Sequence, residues 1–278
     1  MGGELQEGSL YVVATPIGNL EDMTFRAVRI MREVDRIACE DTRVTRRLCD
    51  HFGVDTPLMR HEAHNEAAST EGILALLERG ESVALVSDAG TPCINDPGQR
   101  LIAAAIRDGH PVIPIPGASS LIVALSASGL PTEQFTFHGF FPKKARARRA
   151  MLSTLASGTH AFFCPARDLP LMVDELAETH PQTELVLARE ITKRHEAWMR
   201  GPVIEIAERL DRDTPPKGEA VVLLYRPPKG EDSVTDSDIV AAVIPLIEGG
   251  VRKKEAAARV AESLGVSKRR AYQLTIQL

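Results

Sequence analysis

At 278 residues and 44% hydrophobic composition, the chain is long enough for two domains and an appendage, and no apolar run nears the ~20 residues of a membrane span, so a soluble globular protein is expected. Its net charge of −5 argues on average against nucleic acid as a partner, yet the cations are clustered: "KKARARR" (Lys143 to Arg149) holds five in seven residues, and Arg252-Lys253-Lys254 and Lys268-Arg269-Arg270 add two basic groups near the C-terminus. Cys39, Cys49, Cys93 and Cys164 lack the spacing of a zinc site or disulfide scaffold, and "MGGELQEGS" has no basic start or apolar segment; reduced thiols, no metal and a cytoplasmic location are expected.

The first 130 residues alternate strand and helix signals. Leu10 to Ala14 is a predicted strand, after which Ala27, Val28, Met31 and Val34 recur at helical spacing. Arg36 to Cys39 is a short strand, and Thr42 to Phe52 a helix stopped by Gly53. A strand at Leu58 to Arg60, a helix over Ala67 to Glu78 and a strand at Ser82 to Val86 follow. In "SDAGTPCINDPG", Asp96 reads as the N-cap of the next helix, with Pro97 at its first position. Val112 to Ile115 is a strand, and "PGASSLIVALSASG" turns at once into an apolar helix. Such alternation predicts an α/β fold, a mostly parallel sheet with helices on both faces.

A second α/β unit starts with "FTFHGF" (Phe135 to Phe140), an alternating strand, and carries the basic stretch in a helix. Strands at His160 to Cys164, Glu184 to Ala188 and Glu219 to Tyr225 alternate with helices at Leu169 to Leu176 and Ile204 to Leu210, and the short connections suggest a mixed sheet. "RPPKGEDS" (Arg226 to Ser233) is a linker by composition. The last 45 residues are helical: Ala256, Ala257, Val260, Ala261 and Leu264 form an apolar stripe, Gly265 interrupts it, and Ser267 caps a helix carrying Lys268, Arg269 and Arg270. "SLGVSKRRA" resembles a helix-turn-helix corner. The expected division is 1–130, 131–228 and a helical, RNA-contacting 234–278.

Three strand-to-helix loops, "ATPIGNLED", "SDAGTPCINDPG" and "PGASS", share glycine, proline and helix-start N–H groups. In open α/β sheets ligands bind where such loops converge, so a preformed cleft is expected there. Neither dinucleotide nor phosphate-loop fingerprints occur, and no nucleophile elbow stands out. The residues alone lead to an α/β enzyme with a Gly/Pro-lined cleft.

"YVVATPIGNLEDMTFRA", "CEDTRVTRRL", "HNE", "LVSDAGTPCINDPG", "IPGASSLIVALSASGLP" and "AREITKRHE" stand in this order. In order and spacing they resemble the ribosomal RNA small subunit methyltransferase I family of the tetrapyrrole-methylase superfamily, the class III methyltransferases, from about Leu10 to the C-terminus. The resemblance implies a homodimer that binds S-adenosylmethionine between two α/β domains. It also implies 2′-O-methylation of a cytidine in the decoding region of small-subunit ribosomal RNA, with naked RNA or the assembled 30S subunit as substrate. Carried over by position, the cofactor meets Pro16 and Gly18, then Ser87, Asp88, Ala89, Gly90 and Ile94, then Ser119 and Ser120. Where the family has an aromatic-Glu-Ser stretch on the second-domain wall, this chain reads "FFCPAR", which brings Cys164 to that wall.

A ribose hydroxyl needs a base, or a cation that stabilises the alkoxide. Asp41, Arg43, His64 and Glu66 are the candidates, from loops expected to face the cleft. Lys143, Lys144, Arg146, Arg148 and Arg149, with Lys268, Arg269 and Arg270, form the expected phosphate track. Two rivals remain: a methyltransferase acting on a tetrapyrrole precursor, which needs no basic track, and a non-enzymatic helix-turn-helix module, which leaves the three loops without a purpose.

Overall fold

The computed structural model describes residues 5–212, 216–227, 235–264 and 266–278. Residues 228–233 of the expected linker and Gly265 lie outside the described residues.

The first sheet holds β1 (Leu10–Val13), β2 (Arg36–Cys39), β3 (Leu58–Arg60), β4 (Val83–Val86) and β5 (Val112–Ile115), all parallel, in the order β3-β2-β4-β1-β5. Successive residues of a strand face opposite sides, and here both sides are covered. Tyr11, Val13, Ile37, Cys39, Ala84 and Val86 pack with α1 (Phe25–Glu33) and α2 (Thr42–Phe52). Leu10, Ala38, Val83 and Leu85 pack with α3 (Glu66–Glu78) and α4 (Gln99–Arg107). That double burial is why the inner strands β1, β2 and β4 appear in the sequence as short apolar runs.

One predicted helix start is corrected. The helix after β4 begins at Gln99 with Gly98 as its N-cap, not at Asp96-Pro97. Gly98 has φ 126°, a conformation an L side chain rarely adopts, and a Cβ there would lie 2.7 Å from Leu85 Cδ2. Its N–H donates to Glu66 Oε1 at 3.2 Å, so a carboxylate from α3 meets the donor that Asp96 was expected to serve.

The second sheet is mixed, in the order β6-β7-β10-β8-β9. Its strands are β6 (Phe135–Phe140), β7 (Gly158–Pro165), β8 (Glu184–Arg189), β9 (Ala197–Pro202) and β10 (Glu219–Arg226); only the β6–β7 pairing is parallel. β9 has no counterpart among the predicted strands, because it is an edge strand whose residues are only partly buried. One face packs on α6 (Ala145–Ser153), α7 (Leu169–Thr179) and α8 (Val203–Arg209) around Phe162, Met172, Leu176 and Val222. The other face, with Ala161, Val186, Ala188, Val221 and Leu223, receives Leu121, Ala124 and Leu125 of α5 (Ser120–Ser128). Although α5 follows β5 of the first sheet, its apolar side belongs to the second.

The C-terminal helices α9 (Asp236–Glu248), α10 (Lys253–Leu264) and α11 (Lys268–Thr275) enclose a core of their own, with Ile239, Val243, Ala257, Val260 and Ala271. Thr235 and Asp238 form a reciprocal capping box on α9, and Ser267 caps α11 through Arg270 N at 3.2 Å. Among the described residues no helix is long and apolar enough to cross a membrane.

Candidate active site

The loops after β1, β4 and β5 are laced together. Thr15 N donates to Gly90 O at 2.9 Å and Gly90 N to Thr15 O at 3.1 Å. Thr15 Oγ1 donates to Ser87 O (3.0 Å), Ser87 Oγ to Gly90 O (2.8 Å) and Thr91 Oγ1 to Ala118 O (3.1 Å). Loops packed against one another must pair their backbone groups internally, and short hydroxyl side chains do so without occupying the space in front.

That space is a cleft of about 260 Å³ between the two sheets. On the first unit it is lined by Asp88, Ala89, Gly90, Ile94, Ser119 and Ser120. The second unit closes it with Phe140 and Phe163, Cys164, the backs of β8 and β10, and the charged Glu190, Lys193 and Glu219. A neighbouring hollow of about 230 Å³ is lined by Pro16, Gly18, Val44, Arg47 and Ser87. Asp88 lines both. Thus all ten residues carried over for the cofactor line one hollow or the other.

The cleft wall is acidic. Asp96 has no hydrogen-bond partner among the described residues; burial, then the carboxylates of Glu40, Asp88 and Glu219, push its carboxyl up to about 6. Loss of hydration also raises Asp88 and Glu40. Asp88 Oδ1 accepts from Asp41 N at 3.1 Å. Burial pushes the Cys164 thiol up to about 12, so it is an inert wall group and no nucleophile. Among the described residues no group of three or more His, Cys, Asp or Glu is placed to hold a metal ion.

The four residues named as catalytic candidates line neither hollow. Asp41 is the N-cap of α2; its carboxylate accepts from Arg43 N (2.8 Å), Nε (3.0 Å) and Nη2 (2.6 Å), and the Arg43 guanidinium holds it well below the usual carboxylate range. It adjoins the cleft only through its backbone N–H. Arg43 is exposed and committed to that pair. His64 is exposed on the 3₁₀ turn Ala63–Asn65, and Glu66 is spent on Gly98 N.

The basic cluster divides. Lys143, Lys144, Arg146 and Arg149 are exposed, as are Lys268 and Arg269. Arg148 is not, which corrects its place on the phosphate track. It is 5% exposed, forms a two-point ion pair with Glu175 at 2.6 Å for each bond, and donates to Lys143 O at 2.5 Å. It faces inward with Leu152, four residues on, as helical spacing places it. Arg270 bonds Asp236 of α9 at 2.8 Å. Sequence reasoning missed Asp96 as a cleft residue, having assigned it to a cap, and missed Glu190, Lys193 and Glu219. Glu190 and Lys193 lie within "AREITKRHE", a stretch read only for its resemblance.

Comparison with known proteins gives the same direction. Residues 9–207 match the family Tetrapyrrole (Corrin/Porphyrin) Methylases. The chain is 41% identical to Ribosomal RNA small subunit methyltransferase I of Synechocystis sp., covering 98% of each. It is also 41% identical to the Pseudomonas aeruginosa protein of that name, again covering 98% of each. Among solved structures it shares its fold with uroporphyrin-III-C-methyltransferase from Thermus thermophilus (TM-score 0.55, 23% identity, 78% of this chain and 94% of that one). The structure of that enzyme complexed with S-adenyl homocysteine aligns at TM-score 0.51 with 18% identity, over 78% of this chain and 97% of the other. By a likeness that covers 98% of its length, the chain belongs to the ribosomal RNA small subunit methyltransferase I family of the tetrapyrrole methylases.

Proposed function

We propose that the chain transfers the methyl group of S-adenosylmethionine to a ribose 2′-hydroxyl of a cytidine in the decoding region of small-subunit ribosomal RNA. The reading places the enzyme in the cytoplasm as a homodimer acting on ribosomal RNA or the assembled 30S subunit. The observation that carries it is a cleft whose wall holds four carboxylates, Asp88, Asp96, Glu190 and Glu219, beside Phe140 and Phe163, in a chain 41% identical over nearly its full length to proteins of that name. The wall's chemistry suits a cationic adenosyl compound. Carboxylates accept from an ammonium or from ribose hydroxyls, aromatic faces take the adenine, and the N-terminal end of α5 at Ser119 and Ser120 offers free N–H donors to a carboxylate.

The bound cofactor supplies an electrophilic methyl on a sulfonium whose leaving group is already good. The protein's task is therefore alignment, and positioning of this kind supplies about 7–11 kcal/mol of barrier reduction. Asp88 and Asp96 orient the donor's polar groups, and the laced loops keep them in place without reorganisation. The exposed cations of α6 and α11 attract phosphates, and the target nucleotide has to be splayed out of any helix for its sugar to reach the cleft. The assignment of 1–130 and 131–228 to the cofactor cleft and of 234–278 to RNA contact is part of this reading.

The test is label transfer from tritiated S-adenosylmethionine, offered in parallel to 30S subunits, naked ribosomal RNA and a uroporphyrinogen. Label in ribosomal RNA, with one cytidine linkage made resistant to alkali, is the expected result. Label in the porphyrinogen alone, or on a base with every linkage still alkali-labile, would overturn the assignment.

A further inference from the structure

The stretch "AREITKRHE" closes the cleft from the second unit, and its backbone is unusual. Glu190 and Thr192, neither of them glycine, have φ of 50° and 67°, conformations that persist only where surroundings enforce them and that gather at functional sites. The turn between is cross-braced. Lys193 N donates to Glu190 O at 3.0 Å, Glu196 N to Lys193 O at 3.0 Å, and Thr192 N to Glu196 Oε2 at 2.6 Å. Trp198 Nε1 fixes the other oxygen of Glu196 at 2.7 Å.

The bracing presents one side chain. Lys193 is the one cation among the described residues that line the cleft. Its stem crosses from the second unit to lie on Gly18 in the first loop, where any Cβ would collide with Lys193 Cγ. Its Nζ donates to Glu190 Oε1 at 2.9 Å. That carboxylate is seated in turn: Glu219 N donates to the same oxygen at 3.2 Å, and the site opposite is Gly218, where a Cβ would overlap it. An ammonium has three donors. One is used on Glu190, and the others have no partner among the described residues. Its two remaining N–H donors, beside the first cofactor loop, can serve an oxygen that gains negative charge, and the oxygen of an acceptor hydroxyl losing its proton is one.

We propose that Lys193 is a catalytic residue: its ammonium donates a hydrogen bond to the acceptor hydroxyl oxygen and stabilises the negative charge that oxygen gains as it attacks. Glu190 is a positioning residue that holds the ammonium over Gly18. In the step, the hydroxyl oxygen bonds to the methyl carbon as the carbon–sulfur bond breaks with its electron pair left on sulfur. The hydroxyl proton passes to solvent water, and Lys193 keeps its own protons throughout. The inference rests on the ribose-methylating reading above.

Steady-state transfer to 30S subunits by K193Q, K193R and E190Q tests it, with calorimetric titration of S-adenosylhomocysteine alongside. Removing a single donor of this kind lowers kcat by about 10²–10³-fold in enzymes. K193Q is expected to lose kcat on that scale with KM for subunits and affinity for S-adenosylhomocysteine within about threefold of wild type. K193R should recover most of the loss, and E190Q should lie between. A kcat for K193Q close to wild type, or a loss carried wholly in KM, would overturn the proposal, the second outcome making Lys193 a phosphate contact. If wild type itself transfers no label to ribosomal RNA, the acceptor assignment fails first and the role of Lys193 falls with it.

Discussion

Asp96 stands in the cleft with no donor to meet it, and burial first, then the three neighbouring carboxylates, push its carboxyl up to about 6. Its folded value is raised above the unfolded one, so the stabilisation from its protonated form is full below about 4 and is lost as pH rises through about 6. Asp96→Asn should therefore stabilise the ligand-free chain at pH 8 by on the order of 1 kcal/mol, reduced from the raw shift because half of the group remains solvated, and much less at pH 5. Urea melts of both chains at the two pH values check this; an equal gap at both would show that the Asp96 carboxyl is not raised in the folded chain. Arg148 offers the contrast within one basic run. Breaking a buried ion pair typically costs about 3–5 kcal/mol, so Arg148→Ala should lower the midpoint of unfolding sharply. Arg146→Ala, at an exposed position with no side-chain partner among the described residues, should leave the midpoint in place and weaken RNA binding. Equal melts for the two variants would contradict the buried role. The place of Asp96 does not follow from local sequence. Asp96 followed by proline satisfies every local rule for a cap, and what displaces it is Glu66, thirty residues earlier and brought alongside by the sheet. The inward face of Arg148 was legible in its spacing to Leu152, but a run of cations masks periodicity.

At the scale of elements, the inner strands of the first sheet, β1, β2 and β4, were legible because they are buried on both sides, which leaves short apolar runs bounded by turn residues. β9 was not, since an edge strand needs no such run and Trp198 lies instead under Arg200, whose guanidinium carbon is 4.5 Å from the ring centroid. The turn from β4 into α4 depends on one backbone conformation. Gly98→Ala places a methyl against Leu85 at a φ that L residues avoid, and a loss of about 1–3 kcal/mol is expected, accompanied by weaker S-adenosylhomocysteine binding because the same loop carries Asp88 to Asp96. A variant with wild-type melting and wild-type affinity would show the turn to be more tolerant than its packing implies.

For the whole molecule, the average charge of −5 describes nothing local: acid lines the cleft, while Lys143, Lys144, Arg146, Arg149, Lys268 and Arg269 stand exposed. The three tail helices have their own core, so removal of residues 234–278 should leave S-adenosylhomocysteine affinity unchanged and lower affinity for ribosomal RNA by tenfold or more. Engagement of four of the exposed cations with phosphates gives a slope of about −3 in log affinity against log salt. Binding that is flat from low to moderate salt would remove the electrostatic track. The two-sheet organisation was legible in the alternation of apolar runs, but the way the halves are joined was not, because nothing in "SSLIVALSASG" says which sheet its apolar side will meet.

That helix, α5, begins at the serines of the cleft and lies bedded in the far sheet, where Arg200 Nη2 also grips Ala127 O at 2.8 Å. The helix therefore travels with the second sheet, and the chain passes from one half to the other in the short connection between β5 and α5. Any change in the distance between the halves has to bend the backbone there, directly beside the serines that line the cleft.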